Sequence, residues 1–225
     1  MAVKKSKKKV TIIHEHPRRV PVSNKNPSGI TIVDEHLRRV PGTSLSVDEM
    51  LEIAKNYNKN NIPYPTAKKL KSYPNADNYD ELIAIWTDYF NKKLSANPSL
   101  DADVIKALIG SESGFQEDPI GNKTALGIAQ ITKQTLKILQ NQNGEAKDFI
   151  FKKIRQKDLK NPDIAIPMAI RWLIKKQQMA ERKLKRLPTH EETILEYKGL
   201  LKSKSSWKTD ALVNYKEKYE TLKSK

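Results

Sequence analysis

The chain has no cysteine among its 225 residues, so disulfides and thiolate metal sites are excluded and the fold must stand on burial alone. No apolar run approaches the ~20 residues a membrane-spanning helix needs, and a mean hydropathy of −0.68 describes a wet, polar chain. An apolar stretch is also missing where a secretory signal would carry one. The opening MAVKKSKKKV supplies a basic end, but His14, Glu15, His16, Arg18 and Arg19 follow it. Acidic residues are the minority, 26 against 42 lysines and arginines, for a formal charge of +16. This length accommodates one good core with appendages.

The excess charge sits at the two ends. Residues 1–45 carry ten basic residues against three acids, and residues 198–225 carry eight against three, while the middle is nearly balanced. Cationic arms on a balanced body suit a polyanionic partner: nucleic acid, an anionic wall polymer or an acidic lipid surface. The first arm contains a repeat at an offset of twenty, VTIIHEHPRRVPVS from Val10 and ITIVDEHLRRVPGT from Ile30, with eight of fourteen positions identical. Each copy reads as a short extended segment followed by Glu-His, an Arg-Arg pair and a Val-Pro stop. This is expected to be a flexible arm presenting two equivalent recognition motifs, with Arg18, Arg19, Arg38 and Arg39 as the contact to a delivery or virion partner. His14, His16 and His36 with Glu15, Asp34 and Glu35 form a poor metal site, because an extended arm without cysteine is not preorganised; no metal or cofactor is expected.

From Ser46 the signals are helical. Capping boxes are expected at Ser46 with Glu49, Asn78 with Glu81, and Thr189 with Glu192. Asp101 starts a helix with Val104, Ile105, Leu108 and Ile109 inward, and Thr132 caps a further one. Asn161-Pro162 starts another by N-cap and N1 proline, with Pro167 expected to kink or delay it. Leu82, Ile85, Trp86, Tyr89 and Phe90 form a broad apolar stripe. The last 25 residues read as a loosely docked, Lys-rich helix.

The stretch ALIGSESGFQEDPIGNKTALGIAQI, Ala107 to Ile131, carries the chemistry. Glu112 continues the apolar face of Val104 and Leu108 just before Gly114 ends the helix. A carboxylate there is partly desolvated, which favours the protonated form a general acid needs.

This segment resembles the soluble lytic transglycosylase family, relatives of goose-type lysozyme. Glu112, Ser113 and Phe115 match the family's Glu-Ser-x-Phe, and Ala125, Gly127 and Gln130 match its Gly-Ala-x-Gly-Leu-Met-Gln. Asn161-Pro162, Trp172-Leu173 and Glu196-Tyr197-Lys198-Gly199 match more loosely. The resemblance covers about residues 97 to 200 and implies an all-α, lysozyme-like domain behind the basic N-terminal arm. It implies that Glu112 protonates the bond between MurNAc and GlcNAc and then serves as base on the sugar's 6-hydroxyl, giving a 1,6-anhydro product without water. Ser113, Phe115, Ala125, Gly127, Gln130, Tyr197 and Glu196 become candidate substrate contacts, with Gly127 admitting backbone to the glycan. The chain departs from the pattern at Gly121, Thr124, Ala129 and Lys198, where the family has Ser, Gly, Met and Asn.

The expected organisation is a basic arm at 1–45, a helical accessory segment at 46–96, the catalytic domain at 97–200 and a Lys-rich segment at 201–225. Alternatives are a hydrolytic lysozyme, for which Glu117, Asp118 or Glu196 would hold the water, and a non-enzymatic wall- or polyanion-binding module. Nucleic-acid binding is disfavoured, since no aromatic-studded basic motif accompanies the charge. Without a signal peptide, the expectation is action on the periplasmic or extracellular wall after delivery by a virion, lysis or secretion apparatus.

Overall fold

The computed structural model describes residues 10–13, 16–19, 30–33, 36–39, 44–66, 73–119 and 124–223, with side chains from residue 44 onward. The chain divides into two compact units, Met1–Ser44 and Leu45–Lys225. In the first, β1 (Val10–Ile13) pairs antiparallel with β4 (His36–Arg39), and β2 (His16–Arg19) pairs antiparallel with β3 (Ile30–Val33). Every strand of one repeat copy therefore finds its partner in the other copy. Arg18, Arg19, Arg38 and Arg39 lie on these strands, while their side chains, and His14, Glu15, Asp34 and Glu35, lie outside the described residues.

The second unit is all-helical apart from two-residue strands. Strand β5 (Ser44–Leu45) ends in this unit, where Leu45 O accepts from Lys152 N–H at 2.7 Å, next to the later strand β8 (Ile150–Phe151). Helix α1 (Val47–Asn56) opens with the expected box: Ser46 Oγ accepts from Glu49 N at 3.3 Å, and Glu49 Oε2 accepts from Ser46 N at 2.7 Å. Helix α2 (Asp80–Leu94) does not open with an Asn78–Glu81 box. A 3-10 turn over Ala76–Tyr79 runs straight into it, and Glu81 pairs instead with Lys59 at 2.6 Å. Trp86 and Phe90 are fully buried, with Phe90 edge-on to Phe149 at 5.3 Å, while Leu82 and Tyr89 are only partly buried.

Helix α3 (Ala102–Ser113) is capped by Asp101. The strand β6 (Ala125–Leu126) pairs antiparallel with β7 (Ile131–Thr132), whose last residue caps α4 (Lys133–Gln140). Helix α5 (Pro162–Leu184) starts at its N1 proline and runs unbroken through Pro167. One proline deletes one backbone bond, and the burial of Ile164, Ala165, Ile166, Met168, Ala169 and Ile170 around it outweighs that loss. Arg171 is also fully buried, because its guanidinium donates to Phe149 O, Ala146 O and Asp148 and so clamps that loop to α5.

Helix α6 (His190–Tyr197) has the expected Thr189–Glu192 box. The final helix α7 (Trp207–Lys223) is firmly docked rather than loose: it packs along α3 with Tyr215 and Leu222 fully buried. Gly110 admits this approach, since a Cβ there would lie 3.2 Å from Lys218 Cδ. Lys223 reaches Asp101 and Asp103, each at 2.7 Å. Burial disfavours its charge, but the hydrogen bonds it donates to these carboxylates prevail and raise its pKa. No described helix is long and apolar enough to cross a membrane.

Candidate active site

Helix α3 delivers Glu112 to the site, and Gly114 ends the helix in the left-handed conformation at φ 61°. A Cβ at Gly114 would stand 2.7 Å from the Tyr73 ring, so glycine both stops the helix and admits that ring. The preceding turns bury Val104, Ile105, Leu108 and Ile109 completely, which leaves the Glu112 side chain 16% exposed at a cleft of about 270 Å³. The β6–β7 hairpin contributes Thr124, Ala125, Gln130 and Ile131 to the cleft wall, and the start of α4 adds Thr132 and Thr135. Trp172 arrives from α5, and Tyr197 and Lys198 from the end of α6. Broader depressions of about 830 and 770 Å³ meet around Asn161 and Pro162, but neither contains Glu112. Convergence of chemistry selects the smaller cleft.

Lys198 Nζ donates to Glu112 Oε1 across 86 residues of chain, and its own side chain is 15% exposed. The Tyr197 hydroxyl donates to Ala129 O at 3.1 Å. Burial first, and the Glu112 charge second, push this phenol well above its ordinary range, so it works as a neutral donor. Gln130 is held in the left-handed region at φ 48°, with its Nε2 donating to Gly127 O at 3.0 Å. The hairpin thus presents a preset amide to the cleft.

Of the residues expected to contact substrate, Ala125, Gln130 and Tyr197 join Glu112 at the cleft, whereas Ser113, Phe115, Gly127 and Glu196 do not. Ser113 Oγ donates to Ile128 O at 2.6 Å and ties α3 to the hairpin. Phe115 is 5% exposed and stacks on Tyr79 at 6.2 Å, with Tyr73 at 5.7 Å. Gly127, at φ 72°, admits a protein carbonyl: a Cβ there would fall 1.8 Å from Leu159 O. Glu196 is 3% exposed, with Lys183 at 2.6 Å and Lys176 at 3.9 Å. Gly121 falls in residues 120–123, outside the described residues.

Sequence reasoning placed Trp172 only in the loosely matched Trp172-Leu173 pair; it is 5% exposed, yet lines the cleft, with Lys176 Nζ 4.5 Å from the ring centroid. It missed Thr132 and Thr135, and it saw Lys198 only as a lost asparagine. Among the described residues no group of three His, Asp or Glu stands ready for a metal ion.

One acid at the end of a buried helix thus faces a hairpin and a tyrosine across the cleft. Residues 88–210, more than half of the chain, match the model of the transglycosylase SLT domain. The chain belongs to the transglycosylase SLT domain family. Comparison with curated proteins and with solved structures finds no match. The SLT domain extends past the motif-bearing stretch at both ends, from Asp88 inside α2 to Asp210 in the first turn of α7. With membership comes the general activity, lytic transglycosylase cleavage of peptidoglycan, in a lysozyme-like all-α domain.

Proposed function

We propose that the SLT domain cleaves the bond between MurNAc and GlcNAc with Glu112 as its single acid and base. Glu112 gives a proton to the leaving glycosidic oxygen, the C1–O bond breaks, and the carboxylate then takes the proton of the sugar's own 6-hydroxyl as that oxygen closes on C1. Atoms balance without water. The observation that carries this reading is that Glu112 is the only carboxylate lining the cleft among the described residues. Hydrolysis by a two-carboxylate mechanism would require a second one nearby. The alternatives are engaged elsewhere: Glu117 accepts from Tyr79 at 2.9 Å, Asp118 pairs with Lys160 at 2.7 Å, and Glu196 is buried against Lys183. Residues 120–123, Ile-Gly-Asn-Lys, contribute no acid.

Gln130 and the Tyr197 phenol supply neutral hydrogen-bonding groups beside the acid, and Trp172 supplies an apolar wall. Clearing of purified sacculi tests the assignment. Glu112→Gln keeps the shape of the helix end but moves no proton, so turnover should fall about a hundredfold or more with folding intact. Full activity in that variant would remove Glu112 from the mechanism.

A further inference from the structure

Glu112 and Lys198 are the only charged residues lining the cleft among the described residues, and they neutralise each other there. Both are largely withdrawn from water, so neither charge can lose its partner cheaply. Protonation of the glycosidic oxygen requires Glu112 to carry the proton, and a neutral Glu112 leaves the Lys198 ammonium without its counter-charge. The rest of the described wall is uncharged: threonines, Ala125, Gln130, Ile131, Trp172 and Tyr197. Any replacement charge must therefore arrive with the substrate, close to the bond being cut, because Lys198 Nζ lies within hydrogen-bond reach of the acid itself.

Hydroxyls and acetamides of the glycan are neutral. The sugar on the C1 side of the scissile bond carries one group able to be an anion, the lactyl carboxyl of MurNAc. Where a stem peptide is attached, that carboxyl is an amide; where the peptide has been removed, it is a free carboxylate. An ammonium binds a carboxylate by charge-assisted hydrogen bonds and an amide only weakly. Lys198 stands where the family pattern resembled by this chain has a neutral asparagine. We infer that Lys198 binds the free lactyl carboxylate and makes this enzyme select peptide-free glycan strands, the product of a reaction that hydrolyses the lactyl amide. The inference rests on the transglycosylase reading and names its substrate class.

The test presents intact peptide-bearing strands, and the same strands stripped by an amidase, to the wild-type full chain and to Lys198→Asn and Lys198→Arg. Wild type should show a kcat/KM about tenfold higher on stripped strands, carried by KM. Lys198→Arg should retain the preference and Lys198→Asn should lose it. An unchanged preference in Lys198→Asn, or a wild type that cleaves both strand types equally well or peptide-bearing strands better, overturns the inference. Equilibrium binding of both strand types to Glu112→Gln, with and without Lys198→Asn, separates this from the parent reading. Tighter binding of stripped strands that requires Lys198 upholds the inference even if wild type forms no product, a result that would sink the transglycosylase reading instead.

Discussion

Glu112 and Glu196 are both held by lysines, yet one faces a cleft and the other is locked into the framework. Glu196 is 3% exposed, and its partners Lys183 and Lys176 both come from α5, so the pair fastens α6 to α5. Glu112 is 16% exposed and meets Lys198 at an open cleft. The difference lies in the surroundings: an ion pair enclosed by fixed neighbours is structural, and one at a cleft is exchangeable. Chain position conveys none of this, since Glu196 and Lys198 flank the same tyrosine.

The largest separation between the two is expected in turnover. Glu112→Gln should remove about a hundredfold or more of sacculus cleavage per folded molecule, with a lower Tm as well, because Lys198 then stands without its counter-charge. Glu196→Gln should spare turnover and lower only the stability. Lys183 is 39% exposed and recovers water on losing its partner, so the cost should be about 1–2 kcal/mol, seen as a lower Tm with activity per folded molecule little changed. Loss of turnover in Glu196→Gln at an unaltered Tm would break the comparison and make Glu196 the second carboxylate of a hydrolase.

The helix starts at Ser46, Asp101, Thr132, Asn161 and Thr189 were legible because capping is local chemistry, settled within three residues. The Asn78–Glu81 box failed because Glu81 answers to Lys59, a partner 22 residues away. The site divides in the same way. Glu112 could be read from the apolar face behind it and the glycine after it. Motif spacing could not say that Ser113 and Phe115 turn inward, or that Gly127 makes room for Leu159 O. The ion pair to Lys198 spans 86 residues, and no periodicity reaches that far.

A smaller effect separates framework from cleft by pH. Burial and the bond to Glu117 push the Tyr79 phenol up to about 12, and burial with the Glu49 charge pushes Tyr89 to about 12, from an ordinary 10.0. A folded pKa above the unfolded one means stability fully present below the unfolded value and lost as pH rises through the folded one. Tm should therefore change little between pH 6 and 9, about one unit short of the tyrosine range, and fall as pH climbs from 10 toward 12, with tyrosinate absorbance rising as the fold is lost. Any change in turnover within the flat window then belongs to the cleft. A Tm that falls in parallel with turnover there would merge the two regions.

Mass spectrometry of the muropeptides released from sacculi tests most directly whether one carboxylate suffices. With Glu112 alone serving as acid and base, and the 6-hydroxyl as nucleophile, the dominant products should be 1,6-anhydroMurNAc-ended and one water lighter than their hydrolytic counterparts. Reducing-end products alone would contradict the account and require a water-holding carboxylate at the cleft.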